Sequence, residues 1–85
     1  MVDLNNTNEH LYNLVAKDLK KKIREYYFGQ EGKIPNYLQL TDMYDVSMST
    51  IKKAMKILND ERVLISRVGK GTFANKAFID GTLNG

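Results

Sequence analysis

The 85-residue sequence has no cysteine and no tryptophan, and it contains only one proline and one histidine. Without cysteine, disulfide bonds are excluded, so a single small hydrophobic core must stabilise the fold. No segment approaches the roughly 18 apolar residues of a membrane span, and the N-terminus lacks the apolar stretch of a secretory signal. We therefore expect a cytoplasmic domain without a membrane partner.

The sequence also lacks the residue groups that catalysis requires. It has no histidine–nucleophile constellation, no carboxylate pair with a plausible pocket and no cluster of metal ligands. The Gly69–Thr72 segment is not a phosphate-binding loop. That motif needs a glycine five residues before its Gly-Lys pair and Ser or Thr directly after the lysine, whereas Leu64 and Gly71 stand there. We predict a non-enzymatic protein without a cofactor or metal.

Positive charge is concentrated in the second half of the chain. Residues 47–76 contain seven basic and two acidic residues, whereas residues 1–46 contain six basic and seven acidic residues. This asymmetry is typical of nucleic-acid binding. The exception is Lys20–Lys22, which we interpret as a solvated helix surface flanking Leu19 and Ile23; contact with backbone phosphates is the alternative.

A helix is predicted to begin after Ser47, whose hydroxyl can accept a hydrogen bond from a backbone N–H of the first turn. Apolar residues then recur at the i, i+3, i+4, i+7 spacing of one buried face: Ile51, Ala54, Met55 and Leu58. The other positions form a face available to a partner: Met48, Ser49, Lys52, Lys53 and Lys56. Such a face can enter the DNA major groove, although a solvated lysine face is the alternative for this helix alone.

A shorter helix is predicted just before it. Asn36 can cap this helix, and Gln39 stands three residues later, which is an amide variant of the capping box. Leu40 and Tyr44 would face inward. Asp45 then occupies the turn, where a left-handed residue is often needed.

The segment after the basic helix is predicted to form a hairpin. Residues 63–68 and 72–74 are rich in strand-forming residues, and Gly69-Lys70-Gly71 lies between them. With Arg67, this tip can lie along phosphates or in a minor groove. A plain turn with a solubilising lysine is the alternative.

Together these elements predict an α+β, mainly α, winged helix-turn-helix domain over residues 1–76, with residues 77–85 as a short tail. Helices are expected near 8–28, 37–44 and 48–60, and the hairpin near 63–75. The expected core consists of Leu11, Leu14, Val15, Leu19, Ile23, Leu40, Met43, Ile51, Ala54, Met55, Leu58, Leu64, Ile65 and Phe73.

From about Leu11 to Phe73 the chain resembles the winged helix-turn-helix DNA-binding domain of the GntR family of bacterial transcription regulators. The matching segments are LYNLVAKDLKKKIREYYF, the G-K-I-P connection, the V-S-x-S-T-I core and the G-K-G-T-F wing. The resemblance implies that the recognition helix and the wing tip face double-stranded DNA, through Ser47, Ser49, Thr50, Lys52, Gly69 and Lys70. It leaves open a homodimer on a palindromic site.

Several positions depart from the family pattern. Tyr37 and Leu38 stand where the family usually has Glu-Arg, and Met48 stands where arginine is common. Base preference should therefore differ from that of the family, since Met48 could pack on a thymine methyl. The Tyr37 hydroxyl could donate a hydrogen bond to a phosphate. Arg62 replaces a glycine that usually ends the recognition helix.

The predicted function is sequence-specific binding of double-stranded DNA in a bacterial transcriptional regulator. The alternative is a winged-helix protein-interaction or accessory module of a nucleoprotein complex, with weak or no DNA binding. The segment after the wing is too short for a ligand-sensing domain, so no small-molecule effector is expected in this chain. The predicted DNA-binding residues are Asn36, Tyr37, Ser47, Met48, Ser49, Thr50, Lys52, Lys53, Lys56, Arg67, Gly69, Lys70 and Gly71.

Overall fold

The computed structural model describes the backbone of residues 3–81 and the side chains of residues 11–81. Within this range lie four helices and one antiparallel hairpin, in the order α1 (Asp3–Arg24), α2 (Tyr37–Tyr44), α3 (Met48–Asp60), β1 (Leu64–Arg67), β2 (Gly71–Ala74) and α4 (Lys76–Asp80). Helices α2 and α3 form the helix-turn-helix, and the hairpin follows as the wing. The predicted α+β, mainly α, winged helix-turn-helix fold is therefore confirmed.

The core lies where α1 and α2 pack against α3 and the base of the hairpin. The largest fully buried side chains are Leu19, Leu40, Ile51, Leu58 and Val63. The apolar face predicted for α3 is buried along its whole length, as its 3.6-residue period requires. This burial fixes which face of α3 remains outside.

Three residues that were predicted in the core are exposed instead: Leu14, Met43 and Ile65. Leu14 lies beside the narrow buried face that α1 presents to α3. Ile65 belongs to the outer strand of the hairpin, whereas Phe73, opposite it, lies on a strand with neighbours on both sides and is buried. The core also includes residues that were not predicted: Ala16, Ile34, Val63 and Ala74.

Helix α1 ends four residues earlier than predicted. Tyr26 adopts a left-handed conformation with φ 58°. Its N–H donates to the Ile23 carbonyl at 3.1 Å, and the N–H of Tyr27 donates to the Lys22 carbonyl at 2.9 Å. This is the hydrogen-bond pattern of a Schellman motif, which satisfies the last carbonyls of a helix, although glycine is the usual residue at its left-handed position.

The caps of the helix-turn-helix are as predicted. The Asn36 side chain accepts from the Gln39 N–H at 2.8 Å, and the Gln39 side chain accepts from the Asn36 N–H at 2.9 Å. Asp45 ends α2 in the left-handed conformation, with φ 54°. The Ser47 hydroxyl accepts from the Thr50 N–H and begins α3. Local side-chain chemistry therefore sets the boundaries of both helices.

A short connection before α2 joins the edge of the hairpin. Lys33 forms an antiparallel bridge with Phe73, and the Ala74 N–H donates to the Gly32 carbonyl at 2.8 Å. Gly32 has φ 68°, and a Cβ atom there would lie 2.7 Å from the Ala74 Cβ. Glycine is required here for both reasons.

The short helix α4 was not predicted. Its N-cap is Asn75, whose side-chain oxygen accepts from the Ala77 N–H at 3.0 Å, while its Nδ2 donates to the Arg62 carbonyl at 2.7 Å. Phe78 and Ile79 pack against the core. Part of the predicted tail is therefore ordered structure, and residues 82–85 lie outside the described range. No helix among the described residues is long and apolar enough to cross a membrane.

Candidate nucleic-acid interface

The N-terminal end of α3 presents a polar surface. The Ser47 hydroxyl accepts a hydrogen bond from the Thr50 backbone N–H at 3.2 Å. It also lies 3.0 Å from Thr50 Oγ1 and 3.3 Å from Ser49 Oγ. Ser47 therefore caps the helix and is still exposed. Ser49 is exposed as well. Met48 and Thr50 are half-buried. This end of the helix can offer hydroxyl groups and one thioether to a partner.

The three predicted lysines of α3 differ in their surroundings. The Lys56 ammonium donates to Asp60 Oδ2 at 3.3 Å, and the Lys53 ammonium lies 5.5 Å from the ring centroid of Tyr12 on α1. Lys52 is exposed and has no hydrogen-bond or ion-pair partner among the described side chains. Lys52 is therefore the lysine of this helix that is most available to an outside anion.

The wing contributes a second positive surface. The Arg67 guanidinium lies 4.7 Å from the ring centroid of Phe73, so the ring orients its cation. The Lys70 N–H donates to the Arg67 carbonyl at 2.9 Å and closes the turn, in which Gly69 has φ 76°. The Lys70 ammonium has no described partner. Val68, which was not among the predicted residues, is fully exposed at the tip.

A groove joins the wing to the start of α2. We call it the wing groove; it has a volume of about 570 Å³ and is lined mainly by Lys33, Asn36, Tyr37, Met55, Lys70 and Thr72. Met55 belongs to α3, so the three predicted DNA-facing elements meet around one depression. Lys52 precedes Met55 by three residues, but it lies on the exposed face of α3, outside the lining of the wing groove. The groove thus brings together predicted residues of the α2 cap and the wing, namely Asn36, Tyr37, Lys70 and Gly71, whereas the predicted residues of α3 do not line it.

Lys33 is the residue of this groove that sequence reasoning missed. It lies in the Gly-Lys-Ile-Pro connection, where its position relative to the wing depends on pairing with Phe73, a residue 40 positions later in the chain. The available signal was a basic residue two positions before Pro35 in a segment that already marked the family resemblance. Only the strand pairing shows that it adjoins the wing.

The lysines of α1 are engaged differently. Lys20 forms an ion pair with Glu61 at the end of α3, and Lys22 forms one with Asp18. Both lysines are half-buried at the surface, where Lys20 links α1 to the end of α3 and Lys22 pairs with a residue one turn earlier on α1. Lys21 is exposed, as expected.

Asp18 also links α1 to α2, because the Tyr44 hydroxyl donates to its Oδ2 at 2.6 Å. The hydrogen bonds from Lys22 and then from Tyr44 hold the pKa of Asp18 below its usual value. Partial burial, together with the hydrogen bond to Asp18, raises the pKa of Tyr44. These groups orient the helix-turn-helix on α1 and do not line the wing groove.

The described side chains contain no cluster of three or more histidine, cysteine or acidic residues that could hold a metal ion. The interface therefore consists of hydroxyl, amide and ammonium donors with a few apolar groups. Such donors suit phosphate oxygens and base edges.

Comparison with known proteins identifies the family. Residues 11–74 match the family described as bacterial regulatory proteins, gntR family. The chain is 37% identical over 65 residues to an arabinose metabolism transcriptional repressor of Halalkalibacterium halodurans, covering 76% of this chain and 17% of that protein. It is 35% identical over 63 residues to the uncharacterized HTH-type transcriptional regulator YurK of Bacillus subtilis, covering 74% and 24%. The chain thus spans a quarter or less of the length of these curated relatives.

Solved structures agree with this assignment. The NTD of AraR, in a crystal structure with mutant ORR3, superposes with a TM-score of 0.67 at 31% identity, covering 76% of this chain and 93% of that one. Streptococcus agalactiae GntR superposes with a TM-score of 0.65 at 30% identity, covering 79% and 33%. The chain therefore belongs to the GntR family of bacterial regulatory proteins, and its winged helix-turn-helix is a DNA-binding regulator domain rather than an enzyme.

Proposed function

We propose that this domain binds specific sequences of double-stranded DNA with the N-terminal half of α3 in the major groove and the wing on the backbone or in the minor groove. An α-helix with its side chains is about 10–12 Å wide and fits the major groove, which is about 12 Å wide. Ser49, Thr50 and Met48 would face base edges, and Lys52 would face a phosphate.

The observation that carries this proposal is the exposure of two unpaired lysines, Lys52 on α3 and Lys70 at the wing tip. Neither ammonium has a partner among the described side chains, and no described acidic residue lines the wing groove, to which Lys70 contributes. Unpaired cations on two adjoining elements supply the salt-dependent attraction that dominates binding to duplex DNA.

We further propose that the domain serves in transcription regulation in the bacterial cytoplasm, as a homodimer when its site is palindromic. The curated relative named as a transcriptional repressor supports the regulatory part. Two-fold symmetric binding sites follow from two-fold symmetric protein dimers, with half-sites about one helical turn apart or a multiple of it.

One observation favours a second function, a protein-interaction module. Leu38 is 68% exposed at the start of α2, where the family commonly carries arginine. An exposed leucine offers an apolar contact to a protein and none to phosphate. This alternative predicts weak or no binding to duplex DNA.

Lysine substitutions test the proposed contacts. Lys52→Ala and Lys70→Ala should each weaken duplex binding and reduce the slope of log affinity against log salt by about one unit, because each removes one phosphate contact. Lys17→Ala is the matched control: Lys17 is an exposed lysine that lies beside Ile57 and Glu61, toward the C-terminal end of α3. Unchanged slopes in both test variants would reject this surface.

Sequence specificity needs its own test. Selection of bound sequences from random duplex DNA, at a stated salt concentration, should enrich one recurrent motif. A pool that binds without enriching a motif would leave only non-specific binding.

A further inference from the structure

Lys33 is held at the edge of the wing by backbone hydrogen bonds. The Ile34 N–H donates to the Thr72 carbonyl at 2.8 Å, and the Ala74 N–H donates to the Gly32 carbonyl at 2.8 Å. These two bonds flank the bridge between Lys33 and Phe73. The starting point of the Lys33 side chain is therefore fixed relative to β2.

From there the side chain runs toward the wing tip. A Cβ atom built on Gly71 would lie 3.4 Å from Lys33 Cε, although the backbone of Lys33 pairs two residues further along, at Phe73. The aliphatic stem thus follows β2 back toward Lys70. Gly71 leaves room for this stem, since it has no side chain of its own.

The surroundings of the Lys33 ammonium favour an anion. Lys33 is exposed and has no hydrogen-bond or ion-pair partner among the described side chains. Lys70 lines the same groove, and so do the polar residues Asn36, Tyr37 and Thr72, whereas no described acidic residue does. Two positive charges and no carboxylate among the described residues of one depression favour the binding of an anion there.

We propose that Lys33 is a DNA-binding residue and that it holds, together with Lys70, one backbone phosphate of duplex DNA in the wing groove. The proposal rests on the proposed function. Duplex DNA is the source of the phosphate because the wing, which the proposed function places on the DNA backbone or in the minor groove, forms one wall of this groove.

The test uses Lys33→Met, which keeps an apolar stem of similar length and removes the charge. The affinity for duplex DNA at about 0.1 M salt should fall roughly five- to tenfold, and the salt slope should decrease by about one unit. Lys33→Arg should keep the slope of the native protein, and Lys17→Met is the matched control. Unfolding in urea shows whether each variant is folded.

Neutral phosphates locate the contact. Methylphosphonate is substituted for one DNA phosphate at a time. At one position the substitution should weaken binding by the native protein but should not weaken binding by Lys33→Met any further. If the substitution weakens binding by the native protein and by Lys33→Met equally at every position, the proposal is overturned. Native affinity and slope in folded Lys33→Met would overturn it as well, and would leave the proposed function standing. If the native protein does not bind duplex DNA at all, both fail.

Inorganic phosphate distinguishes the two sources of the anion. At constant ionic strength, addition of millimolar phosphate should produce no saturable change in the amide NMR spectrum around the groove. Saturable binding that Lys33→Met abolishes, with an unchanged slope for duplex DNA, would assign the groove to a free phosphate and overturn the proposal.

Discussion

Arg62 at the end of α3 offers a sharp test of how this fold is terminated. It adopts φ 62°, and its N–H donates to the Asn59 carbonyl at 3.0 Å while the Val63 N–H donates to the Leu58 carbonyl at 2.9 Å. This Schellman pattern places Arg62 at the position that glycine usually occupies. The substitution Arg62→Gly should therefore stabilise the domain.

The magnitude follows from two opposing effects. The left-handed conformation costs a residue with a side chain roughly 1–2 kcal/mol, whereas glycine loses about 0.5–1 kcal/mol more through the entropy of the unfolded chain. The Arg62 side chain has no hydrogen bond, ion pair or ring contact with the described residues, and the hydrogen bond from Asn75 goes to the Arg62 carbonyl, which glycine retains. The net gain should be about 0.5–1 kcal/mol, or roughly 2–8 °C in Tm for a domain of this size.

Urea unfolding measures this gain as a higher midpoint at an unchanged slope of the transition. Arg62→Ala is the control, since alanine also lacks the arginine side chain but keeps the Cβ atom that makes the left-handed conformation unfavourable. Arg62→Gly should exceed Arg62→Ala by about 0.5–1 kcal/mol, from the same balance of backbone strain and unfolded-chain entropy. If the glycine variant is no more stable than the alanine variant, the backbone conformation of Arg62 carries no such cost.

Two further predictions concern stability. Gly32→Ala should destabilise the domain by more than about 1 kcal/mol, because its φ is 68° and the new Cβ would lie 2.7 Å from the Ala74 Cβ; Gly29→Ala, with a similar positive φ but open space, is the control in urea unfolding. The lowered pKa of Asp18 means that its ionised form stabilises the folded state above the usual value of 3.8, and this stabilisation is lost as pH falls through the lower, folded-state pKa. Tyr44→Phe removes one of the two hydrogen bonds to Asp18, so its urea midpoint should depend less on pH below about 4; an acid dependence identical to that of the native protein would contradict this assignment.

The features predicted correctly from sequence were local. Asn36 with Gln39, Asp45 and Ser47 each act within a few residues, and the apolar period of α3 depends only on its own spacing. Their chemistry can therefore be read directly from short segments.

The features that were missed depend on residues far apart in the chain or on unusual backbone conformations. Lys33 joins the groove only because it pairs with Phe73, and the Tyr44 hydroxyl meets Asp18 only after α1 and α2 pack together. Tyr26 ends α1 in a conformation that its residue type does not favour, so the pattern of α1 gave no stop signal. Tertiary pairing decided the first two cases, and a local left-handed conformation decided the third.

Titration of duplex DNA over a range of salt concentrations tests the central claim most directly. If Lys33, Lys52 and Lys70 each contact a phosphate, log affinity should fall with log salt with a slope of about −3 or steeper. The triple variant with methionine at these three positions should retain the fold and lose most of that slope. Absence of duplex binding, or an affinity independent of salt, would contradict the DNA-binding account and favour the protein-interaction module.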